Sequence, residues 1–197
     1  MIVIGIIGGI ASGKSFVAKI FEGFGALRID ADRIGHQVLT EKQTIQGIKE
    51  IWGDRVFDSS GNVNRSELAK IVFECNSELQ KLEQITHPRI ESLIQQTLNR
   101  AEPSYPAAVI DAPVMIKAGW HRHCDKLVFI DCPREIRLTR AMERGWTQEM
   151  FDQRENSQTT LAAKKALATD IVQNPHDSDL IRPQLHELWN QWGLSMD

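Results

Sequence analysis

The sequence predicts an α/β fold: a parallel sheet of about five strands with helices packed against it in three layers. Three observations carry this expectation. The chain opens on Met1-Ile-Val-Ile-Gly-Ile-Ile7, a continuous apolar run rich in β-branched residues, the pattern of a strand buried on both faces of a parallel sheet. Two later runs of the same character, Ala107–Asp111 and Lys126–Asp131, each end in an Asp shortly before a proline. The long interval between the first run and these two carries helical periodicity and little strand signal.

The elements follow in order. Gly8 and Gly9 break the first strand, and from Ser15 the apolar residues Phe16, Val17, Ile20, Phe21 and Phe24 recur at helical spacing, with Gly23 and Gly25 as the stop. Ala26–Ile29 is expected to form a second short strand, ending in Asp30-Ala-Asp32. From Arg33 to about Arg100 the pattern is amphipathic helix, through Ile45, Ile48 and Ile51-Trp52, then Leu68 and Ile71-Val72, then Leu79, Leu82 and Ile85. A turn at Asp58–Gly61 and the His87-Pro88 pair are expected to punctuate it. After the strands at 107–111 and 126–131 the chain is polar and arginine-bearing to about Lys165, and Asp170–Val172 offers a last, weak strand. A final helix is expected to pack through Leu185, Leu188, Trp189 and Trp192, the two tryptophans forming a packing stripe.

Composition excludes several functions. With 197 residues, 23 Lys+Arg against 26 Asp+Glu and a formal net charge of −3, the chain has the size of one domain and no basic field for a nucleic acid. Its apolar runs fall far short of the ~20 residues that cross a bilayer, and no basic segment precedes the opening run, since Lys14 is the first lysine. Cys75, Cys124 and Cys132 are too few and too scattered for a disulfide framework. The expectation is a cytoplasmic protein without nucleic-acid or membrane partners. The sequence says little of assembly, and a monomer or weak homo-oligomer is expected.

Gly8-Gly-Ile-Ala-Ser-Gly13-Lys14-Ser15 satisfies G-x-x-x-x-G-K-[ST] between a strand and a helix, where that motif belongs. Its backbone N–H groups can turn onto phosphate oxygens, the helix start adds its positive end, Lys14 suits the β/γ phosphates and Ser15 suits Mg²⁺. Gly8, Gly9, Ala11, Ser12, Gly13, Lys14, Ser15 and Phe16 are therefore candidate ATP-binding residues. Two D-x-x-G matches exist, Asp32–Gly35 and Asp58–Gly61, but no N-K-x-D, so a guanine-specific switch protein lacks support. A small-molecule kinase is favoured, with a non-catalytic ATP-binding regulatory module as the alternative.

Phosphoryl transfer to a hydroxyl needs a positioned carboxylate and cations around the transferring group. Asp30 and Asp32, at the end of the second strand, both qualify as the carboxylate, and either could instead cap the next helix. Arg137, Arg140 and Arg144 are spaced three and four apart, as on one helix face, and Arg154 follows. Acidic neighbours such as Glu135, Glu143 and Glu155 suit a salt-bridged surface helix equally well, but a closing cationic lid suits ATP. His121, His123 and Cys124 lack the second ligand pair that zinc wants.

Together these residues resemble the dephospho-CoA kinase family. The resemblance rests on Ile4–Ser15, Asp30-Ala-Asp32, Arg65-x-x-Leu68 to Val72-Phe73, His87-Pro88, Asp111-Ala-Pro113, Cys124-Asp125, Arg140-x-x-x-Arg144, Arg154 with Gln158, and Asp170 with Asn174. It implies transfer of the γ-phosphate of ATP to the ribose 3′-hydroxyl of dephospho-CoA, the last step of coenzyme A synthesis. It also implies a core (1–32, 100–138 and 167–197), a helical acceptor lobe (33–99) and a small helical lid (139–166). Asp32 would be the catalytic carboxylate, with Lys14 and Arg140 as catalytic cations. Arg144 and Asn174 would join the nucleotide site, and Asp32, His87, Asp111 and Arg154 would bind the acceptor. Mg²⁺ would sit on Ser15, with Asp32 or Asp111 acting through water. The sequence departs from the family at Ile7, usually Thr, at Thr169, usually Ala, and at Val114–Lys117, where Lys117 replaces an acidic residue.

Overall fold

The computed structural model describes residues 1–175 and 180–195. The chain forms two compact units, residues 1–30 with 100–197, and residues 31–99.

The first unit is built on a five-stranded sheet of order β2-β3-β1-β4-β5, every pairing parallel. Its strands are β1 (Ile2–Gly8), β2 (Leu27–Asp30), β3 (Ala107–Asp111), β4 (Lys126–Asp131) and β5 (Asp170–Gln173). The fold class expected from the sequence is borne out. β1 lies at the centre and β3 is buried along its whole length, which explains the unbroken apolar runs. The register pairs Ile6 with Asp111, Gly8 with Ile130, Asp30 with Asp111 and Asp131 with Gln173, so the carboxyl ends of the strands share one edge of the sheet. The chain leaves β1 toward β2 on one side and leaves β4 toward β5 on the other. These two strands are neighbours, so the crevice where ligands bind in such sheets opens above β1 and β4.

One face of the sheet is covered by α1 (Lys14–Gly23) and α9 (Ile181–Gln191). Ile4, Ile6, Val109, Val128 and Ile130 meet Val17, Phe21, Leu185 and Trp189 there. Phe21 stacks on both Trp189 and Trp192 at 5.9 Å between centroids, so the tryptophan stripe is core, as its spacing suggested. On the other face Gly5 lies under Cys124, Leu127 and Met115, and a Cβ there would meet Cys124 Sγ and Leu127 Cδ2 at 2.8 Å. Between β4 and β5 the chain forms α6 (Arg134–Met142), α7 (Gln148–Asn156) and α8 (Leu161–Leu167).

The second unit is helical: α2 (Ala31–Val38), α3 (Lys42–Trp52), α4 (Arg65–Glu74) and α5 (Asn76–Arg100), the last ending one residue beyond it. Its core gathers Ile48, Trp52, Val56, Leu68 and Val72, and Trp52 Nε1 donates to Glu78 Oε2 at 2.7 Å. The turn after Asp58 forms because its carboxylate accepts from the backbone of Ser60 and Asn62, both at 2.9 Å. Asn64 caps α4 by accepting from Glu67 N at 3.2 Å. The His87-Pro88 pair does not punctuate, since α5 runs through Pro88. Thr86, Ile90 and Ile94 are buried at helical spacing across it, and packing of that stripe outweighs the hydrogen bond that proline removes. Among the described residues no helix is long and apolar enough to cross a membrane.

Candidate active site

The loop from Gly8 to Ser15 leaves the carboxyl end of the central strand and enters α1 at Lys14. Its backbone has positive φ at Gly8 (155°), Ala11 (56°) and Gly13 (99°). Ala11 adopts a conformation that disfavours a side chain by ~1–2 kcal/mol. Its buried methyl packs with Ala141, Phe151, Ile10, Leu138 and Trp146, which offsets that cost. Gly13 offers no side chain to cap α1 and no acidic residue stands in the first turn, so the helix start is suited to an anion. Ser12 Oγ, fully buried within the loop, has no hydrogen-bond partner among the described residues. Lys14 Nζ donates to Gly9 O at 2.7 Å and lies 3.5 Å from Gly8 O.

Three buried side chains hold alternate carbonyls of this loop. Lys164 on α8 donates to Gly8 O at 3.1 Å, Arg137 on α6 to Ile10 O at 3.4 Å, and Asn174 to Ser12 O at 2.7 Å. Each is 2–4% exposed. Arg137 also donates to Cys132 O at 3.1 Å and pairs with Glu155, while Arg134 pairs with Asp152, so α7 is tied to α6. Lys164 makes a second bond to Gln158 Oε1 at 2.7 Å. Burial, then the nearby Arg137 charge, push the Lys164 ammonium below its ordinary range, and Glu155 opposes them.

Arg140 stands beside the loop. It donates to Asn174 Oδ1 at 3.1 Å and approaches Cys132 Sγ at 3.5 Å. Burial holds the Cys132 thiol above its ordinary range, with the Arg140 and Arg137 charges pulling the other way. A cavity of about 560 Å³ opens here, lined by Pro133, Ile136, Thr139, Arg140, Glu143 and Pro175 among others.

The remaining candidates are more scattered. Asp111, at the end of β3 beside β1, is buried and accepts from Arg28 Nη2 at 3.0 Å; the same guanidinium lies 3.6 Å from Asp30. Phe16 is exposed on α1. Arg144 does not continue the arginine face expected of one helix, because α6 ends at Met142 and Arg144 falls in the exposed turn that follows. Nor is Arg137 a mobile cation, being pinned inside by three partners. Arg154 on α7 stacks over the Trp146 ring at 3.9 Å. Asp32 and His87 belong to the helical unit, Asp32 exposed in the first turn of α2 and His87 half-buried on α5. His121 and His123 sit in a 3₁₀ turn before β4, and no metal-holding cluster of His, Cys, Asp and Glu occurs among the described residues.

Sequence reasoning missed Lys164, and it missed Arg28 as the partner of Asp111. A faint signal existed for Lys164, which falls three residues after Leu161 on the inward stripe of a short helix, whereas its neighbour Lys165 faces out to pair with Asp131 at 2.7 Å.

A central parallel strand running into a glycine-rich loop and a helix, braced from behind and flanked by cations, defines a P-loop α/β protein of the kind that handles nucleotides. The comparisons narrow the class. A family model described as "CoaE: Dephospho-CoA kinase" matches residues 2–179. The chain is 34% identical to a dephospho-CoA kinase of Dehalococcoides mccartyi over 88% of this chain and 89% of the relative. It is 31% identical to that of Corynebacterium diphtheriae over the full length of both. Among solved structures it is similar to TT1252 from Thermus thermophilus, with TM-score 0.84, 28% identity and 97% of each chain covered. The dephospho-CoA kinase from Campylobacter jejuni shares the fold, with TM-score 0.73, 24% identity and 96% of each chain covered. The chain belongs to the dephospho-CoA kinase family.

Proposed function

We propose that this protein transfers the γ-phosphoryl group of ATP to the ribose 3′-hydroxyl of dephospho-CoA, giving coenzyme A and ADP. The observation that carries the reading is the intact Gly8–Ser15 loop at the carboxyl end of β1, in a chain matched to the family along residues 2–179. In the reaction the hydroxyl oxygen bonds to the γ-phosphorus, the bond from that phosphorus to the β,γ-bridging oxygen breaks, and the hydroxyl proton passes to a base.

The residues divide accordingly. Loop N–H groups and Lys14 hold the β and γ phosphates, and Arg140, with Arg144, balances charge on the transferring group. The cavity beside Arg140 takes the adenine, against the planar guanidinium and Pro175, with Asn174 holding that guanidinium through its Oδ1. Asp32, in the first turn of α2, accepts the hydroxyl proton. His87, Asp111 and Arg154 contact the acceptor, residues 33–99 form its lobe, and residues 139–166 form the lid. The free cysteines suit a reducing cytoplasm, and no partner beyond ATP and dephospho-CoA is required of a monomer or weak homo-oligomer.

The donor set fits Mg²⁺, a hard cation that takes few protein oxygens and keeps several waters. Ser15 would hold it directly and Asp111 or Asp32 through water. Asp111 has one oxygen, Oδ2, on Arg28 and so retains the other. When bound, the ion would neutralise charge on the β and γ oxygens.

The test is ADP release with dephospho-CoA, compared with a panel of nucleosides, nucleoside monophosphates, shikimate and gluconate. Selective turnover of dephospho-CoA is expected. Equal or faster turnover of another acceptor refutes the assignment, and tight ATP binding without transfer to any acceptor restores the regulatory alternative.

A further inference from the structure

The phosphate loop has its carbonyls satisfied in an unusual division of labour. Gly8 O lies within reach of two ammonium groups, Lys164 Nζ at 3.1 Å and Lys14 Nζ at 3.5 Å, and Lys14 is held more tightly by Gly9 O at 2.7 Å. The two lysines differ in where they stand. Lys164 is 4% exposed and fixed at both ends of its reach, by Gly8 O and by Gln158 Oε1 at 2.7 Å. Lys14 stands in the first turn of α1, bonded to the loop itself.

If the loop is an ATP site, Lys14 must leave those carbonyls for the β and γ phosphates. A carbonyl abandoned in a buried place loses a donor that water cannot replace, and that penalty would weigh against nucleotide binding. We infer that Lys164 is a positioning residue of the phosphate site: it keeps the Gly8 carbonyl satisfied from behind when Lys14 moves to the nucleotide, while Gly9 O, the nearer of the two carbonyls that Lys14 leaves, keeps the backbone N–H of Ser12 at 3.3 Å. The inference rests on the ATP reading of the loop.

The arrangement supports a brace rather than a second phosphate ligand. Lys164 belongs to a set with Arg137 on Ile10 O and Asn174 on Ser12 O, each buried side chain holding one alternate carbonyl. Its own hydrogen bonds go to Gly8 O and Gln158 Oε1. The Arg137 and Glu155 charges flank it. Lys164 also belongs to α8, and Gln158 to the turn after α7, so the brace links the segment following α6 to the loop.

The test substitutes Lys164→Met, which keeps length and removes the donor, and measures ATP binding by calorimetry together with steady-state kinetics. ATP affinity is expected to fall roughly ten-fold or more, the scale of a lost hydrogen bond to a charged group. Adenosine affinity and KM for dephospho-CoA should stay within about two-fold, since no lysine contact to either is invoked. ATP affinity within two-fold of the parent, or an equal loss for adenosine, overturns the inference. If Lys164→Met does not fold, Gln158→Leu removes the second tether of the same ammonium and must weaken ATP binding in the same selective way; unchanged ATP affinity there overturns it equally. In the wild-type protein, the Lys164 ammonium should give a solvent-protected ¹H–¹⁵N signal that persists when Mg²⁺ and a non-hydrolysable ATP analogue are added, while the Lys14 signal shifts. Loss of the Lys164 signal on binding is also a refutation. Failure of the underlying ATP reading would look different, because the wild-type protein would then bind no ATP at all.

Discussion

Gly9→Ala puts the buried brace of the phosphate loop under direct strain. Gly9 is buried, and a Cβ added to it would lie 2.7 Å from Arg137 Nη1, 2.9 Å from Cζ and 3.0 Å from Nε. The guanidinium cannot simply swing aside: it is 2% exposed and held by Cys132 O, Ile10 O and Glu155. The added methyl must therefore displace the loop or the guanidinium. Overpacking of a tight site costs ~1–3 kcal/mol, and separating a buried charge from its partner costs ~3–5 kcal/mol. Partial relaxation of both gives an expected loss of about 2–4 kcal/mol. For a chain of this size that is roughly 5–15 °C in Tm by thermal unfolding. Gly23→Ala is the control, since a Cβ there meets nothing within 4 Å among the described residues, and it should be neutral or slightly stabilising. In a double-mutant cycle, Arg137→Met should remove much of the penalty of Gly9→Ala, with a coupling of about 1–3 kcal/mol. A Tm for Gly9→Ala within about 2 °C of the parent, or full additivity in the cycle, would refute a rigid guanidinium behind the loop.

Asn174→Ala removes the donor to Ser12 O and the acceptor of Arg140 Nη2, so it should raise KM for ATP about ten-fold with ~1–3 kcal/mol of lost stability; an unchanged KM would confine Asn174 to structure. Asp32→Asn should bind ATP normally in equilibrium dialysis and lose ~10²-fold or more in kcat, and near-normal turnover would remove Asp32 as the base. Burial, then the Asp125 charge, push the Cys124 thiol from 9.0 up to about 12. Between those values the unfolded chain releases a proton that the folded chain keeps, so stability falls as pH rises above 9, by ~1.4 kcal/mol per unit at most. Thermal unfolding from pH 8 to 10.5 should show a shallower decline in Cys124→Ala than in the parent, and parallel curves would exclude the thiol as the source.

The sheet was legible because a strand buried on both faces leaves an unbroken apolar run, and β1, β3 and β4 all do so. Their order was not, since nothing local says that β1 sits between β3 and β4. The phosphate loop was legible as a motif because its glycines, Lys14 and Ser15 act within one turn of chain. The arginine run misled for a local reason: three-and-four spacing predicts a shared face only while the helix lasts, and α6 stops at Met142. Pro88 misled in the opposite direction, because a proline that would end an isolated helix is tolerated where buried Thr86, Ile90 and Ile94 continue the stripe.

The buried cations mark where sequence reading runs out, and the reason is physical. Arg134 and Arg137 stand one turn apart with similar acidic company, yet Arg134 is 43% exposed at the side chain and Arg137 is 2%. Lys164 and Lys165 are adjacent, one buried and one exposed. What separates them lies far away in sequence. A loop that turns its N–H groups toward an anion turns carbonyls the other way, and each carbonyl buried behind it needs a donor. Gly8 O, Ile10 O and Ser12 O draw that donor from residues more than a hundred positions later. Long cationic side chains meet the need because they reach across a packed layer and carry several N–H groups. Their positive charge also favours the anion in front of the loop, so the requirement of the fold and the requirement of phosphate binding select the same residues.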